Sequence, residues 1–177
     1  MPCHREGYER KMAQGCLRIA GRERTAPVTE DIVVDTNVFI DSLLDENLLN
    51  SEEARQRPLV IRYIEGIVDG RYIVHLPRIA IIEIVGVTRR KAGAGAASLA
   101  KTRLAQWVDL GLVRLYDFQE ARKQTAVDLA IRNNVSKRRY LSAPDAIFIG
   151  LADELEITLV TLEKSFSAAS PRALVLP

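Results

Sequence analysis

The chain of 177 residues is long enough for one domain with a substantial core, and its 47% hydrophobic and 27% charged residues are typical of a globular protein. A net charge of +2 excludes a strongly basic protein, and only two cysteines, Cys3 and Cys16, exclude a disulfide framework. This cysteine usage favours a reducing, cytoplasmic setting. No apolar run approaches the ~20 residues of a membrane helix, and the N-terminus has no stretch like a signal peptide, so we expect no membrane partner.

Residues 1–27 are polar, with scattered glycines and no sustained hydrophobic period, and we expect them to form a flexible N-terminal tail. The tail ends at Pro27, and residues 28–177 are expected to form a single domain. Short β-branched and apolar runs in this domain alternate with helical patterns. The runs predict strands at 31–35, 72–76, 113–116, 158–162 and 173–176.

Capping residues mark two of the predicted helices. Asn50 and Glu53 have the spacing of a capping box that opens a helix at 51–69, which Pro58 could kink or split and Gly70 ends. Ser142 is a good N-cap for a helix that reaches residue 155.

Three other segments complete the predicted helical content. Residues 118–132 predict a helix, and residues 41–47 predict a loop or a short helix. Residues 79–91 combine strong β propensity with helix-boundary signals, so periodicity leaves their conformation open. Residues 96–110 predict a helix that ends at Gly111. The expected buried face of that helix comprises Leu99, Leu104, Trp107, Val108 and Leu110.

The alternation of strands and helices along the whole domain predicts an α/β fold. Such βαβ units produce a mostly parallel central sheet with helices on both faces, which is a three-layer α/β/α arrangement. In this architecture the carboxyl ends of the strands meet at one edge of the sheet, where ligands bind.

Four acidic residues occupy unusual positions with respect to that edge. Asp35 closes the first strand, Glu83 interrupts an apolar run, Asp145 lies in a first helical turn and Glu163 follows the fourth strand. Clustered carboxylates repel one another, and a hard divalent cation such as Mg²⁺ or Mn²⁺ removes the repulsion. Each acid except Asp35 also has a simple alternative: Asp145 and Glu163 suit helix N-termini, and Glu83 suits an exposed helix face.

Four motifs carry a resemblance to a known family. They are VVDTNVFI at 33–40, LPRIAIIE at 76–83, DAIFIGLA at 145–152 and LVTLE at 159–163. With these motifs, in this order, the chain resembles PIN-domain ribonucleases, and most closely the VapC-like toxins of toxin–antitoxin pairs. The resemblance implies a PIN-like α/β/α fold and a helix at 79–91.

The resemblance also implies roles for particular residues. It implies that Asp35, Glu83 and Asp145 bind the metal, and we expect Asn37 and Thr161, at the family's polar positions, to bind the substrate. The family's usual fourth acid is aspartate, whereas this chain has Glu163, a longer side chain. A homodimer and a cognate antitoxin partner are also expected from the resemblance.

The leading hypothesis is therefore a metal-dependent endoribonuclease that uses Mg²⁺ or Mn²⁺, with Asp35, Glu83, Asp145 and Glu163 as catalytic residues. Arg89, in a basic cluster with its two neighbours, is a candidate phosphate ligand, although a helix C-terminus also favours basic residues.

Two alternatives remain open. A phosphohydrolase could use Asp35 as a nucleophile, but such sites commonly have a second acid where this chain has Asn37. A PIN-like scaffold that binds RNA or a protein without cleavage is the second alternative, and retention of acids at all four positions weighs against it.

Overall fold

The computed structural model describes residues 29–117 and 142–177, and in this part of the chain five strands form one sheet in the order β3-β2-β1-β4-β5. The strands are β1 (Glu30–Val34), β2 (Tyr72–Pro77), β3 (Val113–Tyr116), β4 (Thr158–Thr161) and β5 (Ala173–Val175). All four strand pairs are parallel, which confirms the predicted sheet. The predicted tail at 1–27 and the predicted helix at 118–132 lie outside the described residues.

Helices connect the strands and cover the sheet in a three-layer α/β/α architecture, as predicted. The described helices are α1 (Thr36–Leu43), α2 (Ser51–Val68), α3 (Ile79–Asp109), α4 (Ala143–Leu155) and α5 (Phe166–Ala169). In the ranges that the structure describes, no helix combines the length and hydrophobicity needed to span a membrane.

Strand β1 lies at the centre of the sheet and fixes the position of the residues that follow it. Val33 pairs with His75 of β2 on one side and with Leu159 of β4 on the other. Ile32, Val33 and Val34 are all buried, so both faces of this strand are covered. A strand buried on both faces needs helices on both sides, which explains the continuous β-branched run in the sequence.

A buried histidine joins three strands through hydrogen bonds. The Nε2 atom of His75 lies 2.7 Å from a carboxylate oxygen of Asp31, and its Nδ1 atom lies 2.7 Å from the hydroxyl of Tyr116. A neutral imidazole that donates from Nε2 and accepts at Nδ1 satisfies both contacts. His75 therefore has a structural role between β1, β2 and β3.

The predicted capping box at Asn50 and the predicted N-cap at Ser142 both form. The Asn50 side chain accepts hydrogen bonds from two backbone N–H groups of α2, and the Glu53 carboxylate accepts one from the backbone of Asn50 at 2.9 Å. Pro58 is accommodated inside α2 without splitting the helix. Gly70 adopts a φ of 71°, which favours glycine and ends the helical segment.

Helix α3 settles the conformation of residues 79–91, which are helical as the family resemblance implied. The helix bends at Gly93, whose φ of 85° and ψ of 179° are not helical. The predicted buried face beyond the bend was partly wrong, because Leu99 and Leu110 are 44% and 55% exposed. Small residues take their place against the core: Ala97 and Ala100 are buried beside Leu104 and Trp107.

The prediction of a loop or short helix at 41–47 placed the helix too late. Helix α1 begins at Thr36, directly after β1, and a short 3₁₀ helix follows at Glu46–Leu48. Val38, Phe39 and Ile40 are buried in the core and hold α1 against its neighbours. Tertiary packing thus overrides the modest helix propensity of β-branched residues.

Candidate active site

Asp35 lies at the carboxyl end of the central strand, between β1 and α1. Its backbone N–H donates to the carbonyl of Val160 in β4 at 2.9 Å, which fixes the residue between two strands. The side chain is buried, with only 3% of the residue exposed. Its two carboxylate oxygens accept hydrogen bonds from the hydroxyls of Thr161, at 2.8 Å, and Thr36, at 3.3 Å.

The surroundings of Asp35 oppose its ionisation. The pKa of this carboxyl is raised from 3.8 to about 6, chiefly by burial; the charges of Asp145 and Glu83 also raise it, and the Thr161 hydrogen bond lowers it. Three acids from distant parts of the sequence are therefore close enough to interact electrostatically, as the topology predicted.

Glu83 reaches the site from the first turns of α3. The residue is partly buried, and burial is the main cause of its raised pKa, with a further contribution from the charge of Asp145. A hydrogen bond with Thr36 and the charge of Arg90 lower the pKa of Glu83. Thr36 thus lies between Asp35 and Glu83 and contacts both carboxylates.

Asp145 belongs to the first turn of α4. One of its carboxylate oxygens accepts a hydrogen bond from the backbone of Ser142 at 3.1 Å, and the Ser142 hydroxyl accepts one from the backbone of Asp145 at 3.2 Å. This capping box shows that Asp145 also has the structural role, at a helix N-terminus, that the sequence allowed. It also fixes the carboxylate at a point from which its charge acts on both Asp35 and Glu83.

The three acids have the chemistry of a site for a hard divalent cation. All their donor atoms are carboxylate oxygens, and their mutual repulsion is the kind that Mg²⁺ or Mn²⁺ neutralises. In residues 29–117 and 142–177, no three acidic, histidine or cysteine side chains are already arranged to enclose an ion. The chemistry of these three carboxylates therefore fits a hard divalent cation.

Glu163 differs from the other three acids in its interactions. Its charge is not among the causes that raise the pKa of Asp35 or Glu83. Its backbone N–H donates to the Thr161 hydroxyl at 3.0 Å, and its carboxylate accepts from Ser165 at 3.4 Å. The side chain lines a neighbouring polar cavity of about 490 Å³, together with Asn37.

The three candidate substrate-binding residues occupy different environments. Thr161 is buried and orients Asp35 through its hydroxyl, whereas Asn37 is exposed and lines the polar cavity. Arg89 is exposed on α3. Its neighbour Arg90 follows Glu83 by seven residues, which places both on one side of the helix, and only Arg90 acts on the pKa of Glu83.

Sequence reasoning missed one residue of this region, Asp41. It is buried in α1, lines the same polar cavity as Glu163, and has a pKa raised from 3.8 to about 6, chiefly by burial and then by the charge of Glu53. A signal was present in the sequence, because Asp41 directly follows the apolar residues Val38, Phe39 and Ile40.

Comparisons with known proteins agree with this architecture. The family model described as the PIN domain matches residues 32–170. The fold is similar to that of VapC20 from Mycobacterium tuberculosis, a toxin described as cleaving the sarcin–ricin loop, with 19% identity and a TM-score of 0.57 over 78% of this chain and 95% of that chain. It is also similar to FitAcB from Neisseria gonorrhoeae, with 20% identity and a TM-score of 0.58 over 81% of this chain and 96% of that chain. Comparison with curated proteins gives no significant match.

Proposed function

Because the chain belongs to the PIN domain family, we propose that it is a metal-dependent endoribonuclease that hydrolyses RNA phosphodiester bonds. The observation that carries the proposal is the raised pKa of Asp35, a buried carboxyl at the end of the central strand that interacts with Glu83 and Asp145. Perturbed acids in a cluster are typical of functional sites.

The residues of this chain would divide the work as follows. Asp35, Glu83 and Asp145 would hold Mg²⁺ or Mn²⁺, which when bound polarises a phosphate and increases the acidity of water. Thr161 and Thr36 orient the Asp35 carboxylate through their hydroxyls.

Substrate contacts would come from residues around the acids. Asn37 and Arg89 are the proposed contacts with the RNA chain, and Arg90 has the better position for a phosphate beside Glu83. Glu163, at the edge of the site, would assist catalysis from the polar cavity and not as a metal ligand.

The test is cleavage of a panel of structured RNAs by the purified chain. We expect cleavage with Mg²⁺ or Mn²⁺, no cleavage in chelator, and no cleavage by the Asp35→Asn variant. Asp45→Asn is the matched control, because it makes the same chemical change at an exposed acid outside the site. Cleavage that persists in chelator, or in the Asp35→Asn variant, would refute the proposal.

We further propose that the protein is the toxin of a toxin–antitoxin pair, with a cognate antitoxin as its protein partner. The similarity of its fold to VapC20, which is described as a toxin, supports this proposal. A homodimer in the cytoplasm is the expected state. Co-expression with the product of the adjacent gene tests the pairing: an antitoxin would bind the chain and suppress cleavage, and free activity in the presence of that product would contradict it.

A non-catalytic PIN-like scaffold that binds RNA or a protein is the second candidate. It is favoured by the absence, within the described residues, of three acidic, histidine or cysteine side chains already arranged to enclose an ion. The same RNA panel separates the two candidates, because a scaffold would bind RNA in the presence of the metal and leave it intact.

A further inference from the structure

Thr36, the first residue of α1, contacts two of the three clustered acids. Its hydroxyl donates to one carboxylate oxygen of Asp35 at 3.3 Å, and its side chain also hydrogen-bonds the carboxylate of Glu83. Only 2% of the residue is exposed, so the hydroxyl is enclosed by protein and not by bulk water. Thr36 therefore links an acid at the end of β1 to an acid in the first turns of α3.

Asp35 has other contacts that fix its position. Its backbone N–H is bonded to the carbonyl of Val160 at 2.9 Å, and its second carboxylate oxygen accepts from the Thr161 hydroxyl at 2.8 Å. The Thr161 hydroxyl also accepts from the backbone N–H of Glu163, so its single hydrogen is committed to Asp35. Asp35 consequently stays in place without the help of Thr36.

Glu83 depends on Thr36 to a greater extent. Its side chain is longer than that of Asp35, has one more rotatable bond and is only partly buried. Burial raises the pKa of Glu83, and the hydrogen bond with Thr36 opposes this effect more strongly than the charge of Arg90 does. The contact with Thr36 therefore restrains a carboxylate that would otherwise have considerable rotational freedom.

This restraint matters if the acids bind a cation, as the proposed function requires. In the described ranges no three acidic, histidine or cysteine side chains are already arranged to enclose an ion, so the carboxylates have to be drawn together on binding. Ordering a long side chain costs conformational entropy. A hydrogen bond that orders the side chain beforehand reduces this cost, and the loss of such partners commonly lowers metal affinity by about 10- to 100-fold.

We propose that Thr36 is a positioning residue of the acid cluster. Its hydroxyl holds the Glu83 carboxylate beside Asp35 and thereby raises the affinity of the cluster for a divalent cation. The inference rests on the proposed metal-dependent function and adds to it a residue that acts through Glu83, without itself binding the cation or the RNA.

The experiment measures Mn²⁺ binding to the purified full chain by calorimetry, without RNA. Thr36→Val removes the hydroxyl and keeps the size of the side chain, and we expect it to raise the Kd for Mn²⁺ by about 10-fold or more. Thr36→Ser retains the hydroxyl and should remain within about 3-fold of the unaltered chain. Thr88→Val is the matched control and should not change the Kd, because Thr88 is also fully buried and its hydroxyl has no hydrogen-bond partner in residues 29–117 and 142–177.

A second comparison tests whether Thr36 acts through Glu83. Glu83→Ala removes the side chain that Thr36 restrains, and in this background Thr36→Val should weaken the remaining Mn²⁺ binding by less than about 3-fold. A full 10-fold loss that persists in Glu83→Ala would assign the effect to Asp35 alone and overturn the proposal. An unchanged Kd in Thr36→Val, or an equal loss in Thr36→Ser, would also overturn it.

Thermal unfolding in chelator checks that each variant is folded. If Thr36→Val does not fold, the pair Thr36→Ser and Thr36→Ala makes the same comparison, because these two variants differ by one hydroxyl group. A folding defect would lower the number of binding sites, whereas loss of positioning should raise the Kd of sites that remain intact.

RNA cleavage at a series of Mn²⁺ concentrations provides a further readout. Thr36→Val should raise the Mn²⁺ concentration for half-maximal cleavage by the same factor as the Kd, and the rate at saturating Mn²⁺ should stay within about 3-fold. A chain that binds Mn²⁺ more weakly after Thr36→Val but cleaves no RNA would refute the nuclease function and retain the role of Thr36. Cleavage that requires Mn²⁺ and has the same Mn²⁺ dependence in Thr36→Val would do the reverse.

Discussion

The ionisation of Asp35 gives a prediction about stability that needs no substrate. The pKa of this buried carboxyl is raised from 3.8 to about 6, so at pH 8 the charged form costs the fold about 3 kcal/mol at 1.36 kcal/mol per pKa unit. Asp35→Asn removes the charge and keeps the size of the side chain. The Thr161 hydroxyl can still donate to the remaining oxygen, so we expect the variant to be about 1–3 kcal/mol more stable at pH 8.

The sign of the pH dependence follows from the raised pKa. Below about pH 4 the carboxyl is protonated in both the folded and the unfolded chain, and Asp35→Asn should have little effect. The penalty of the unaltered chain appears as the pH rises from about 4 to 6 and is complete above that range. The difference in the free energy of unfolding should grow over this window.

Urea unfolding in chelator at a series of pH values measures this difference directly. With a slope of about 2 kcal/mol per molar urea, the midpoint of Asp35→Asn at pH 8 should be higher by about 0.5–1.5 M. Asp45→Asn, an exposed control, should change the free energy of unfolding by no more than about 0.5 kcal/mol at any pH.

The reverse pattern would refute the reasoning. If Asp35→Asn were less stable at pH 8, or if its effect did not vary with pH, the carboxylate would not be an uncompensated charge. Titration with Mg²⁺ completes the test, because an ion bound at Asp35 should stabilise the unaltered chain and leave Asp35→Asn unchanged.

Three further predictions concern other residues of the site. Glu83→Gln should lower RNA cleavage by about 100-fold, whereas Glu163→Gln should have a smaller effect because its charge does not act on the other acids; single-turnover kinetics measures both. Ser142→Ala should lose about 1 kcal/mol of stability in urea unfolding, because it removes the cap of α4. Arg90→Ala should reduce the salt dependence of RNA binding by about one unit of slope, and Arg89→Ala should change it less. Equal effects in either matched pair would contradict the positions assigned to Glu163 and Arg90.

The sequence predicted those parts of the fold that depend on local chemistry. The β-branched run before Asp35 forms the central strand. The N-cap residues Asn50 and Ser142 begin helices α2 and α4 where expected. The parallel order of the strands then explains why Asp35, Glu83 and Asp145 meet. Convergence at the edge of a parallel sheet is a property of topology, which alternating patterns reveal.

The sequence pattern did not predict which side chains of a helix or turn face the core and which face solvent or a cavity. Leu99 is exposed because α3 bends at Gly93 and its alanines face the core, which a uniform helical period does not anticipate. Glu163 follows β4 as expected, but its contact with Ser165 and its place in the polar cavity depend on the turn that leads into α5. Asp41 was missed because its burial results from the packing of α1 against its neighbours.

Helix α1 connects the two buried acids Asp35 and Asp41. Asp35 precedes the helix and Asp41 lies six residues later, a rise of about 9 Å that also turns the two side chains to different faces. Each of these acids has a pKa raised to about 6, one beside the acid cluster and the other in the polar cavity. A short helix packed into the core therefore holds the two acids at a fixed separation. Substitution of Asp35, the acid beside Glu83 and Asp145, should decide whether any RNA is cleaved.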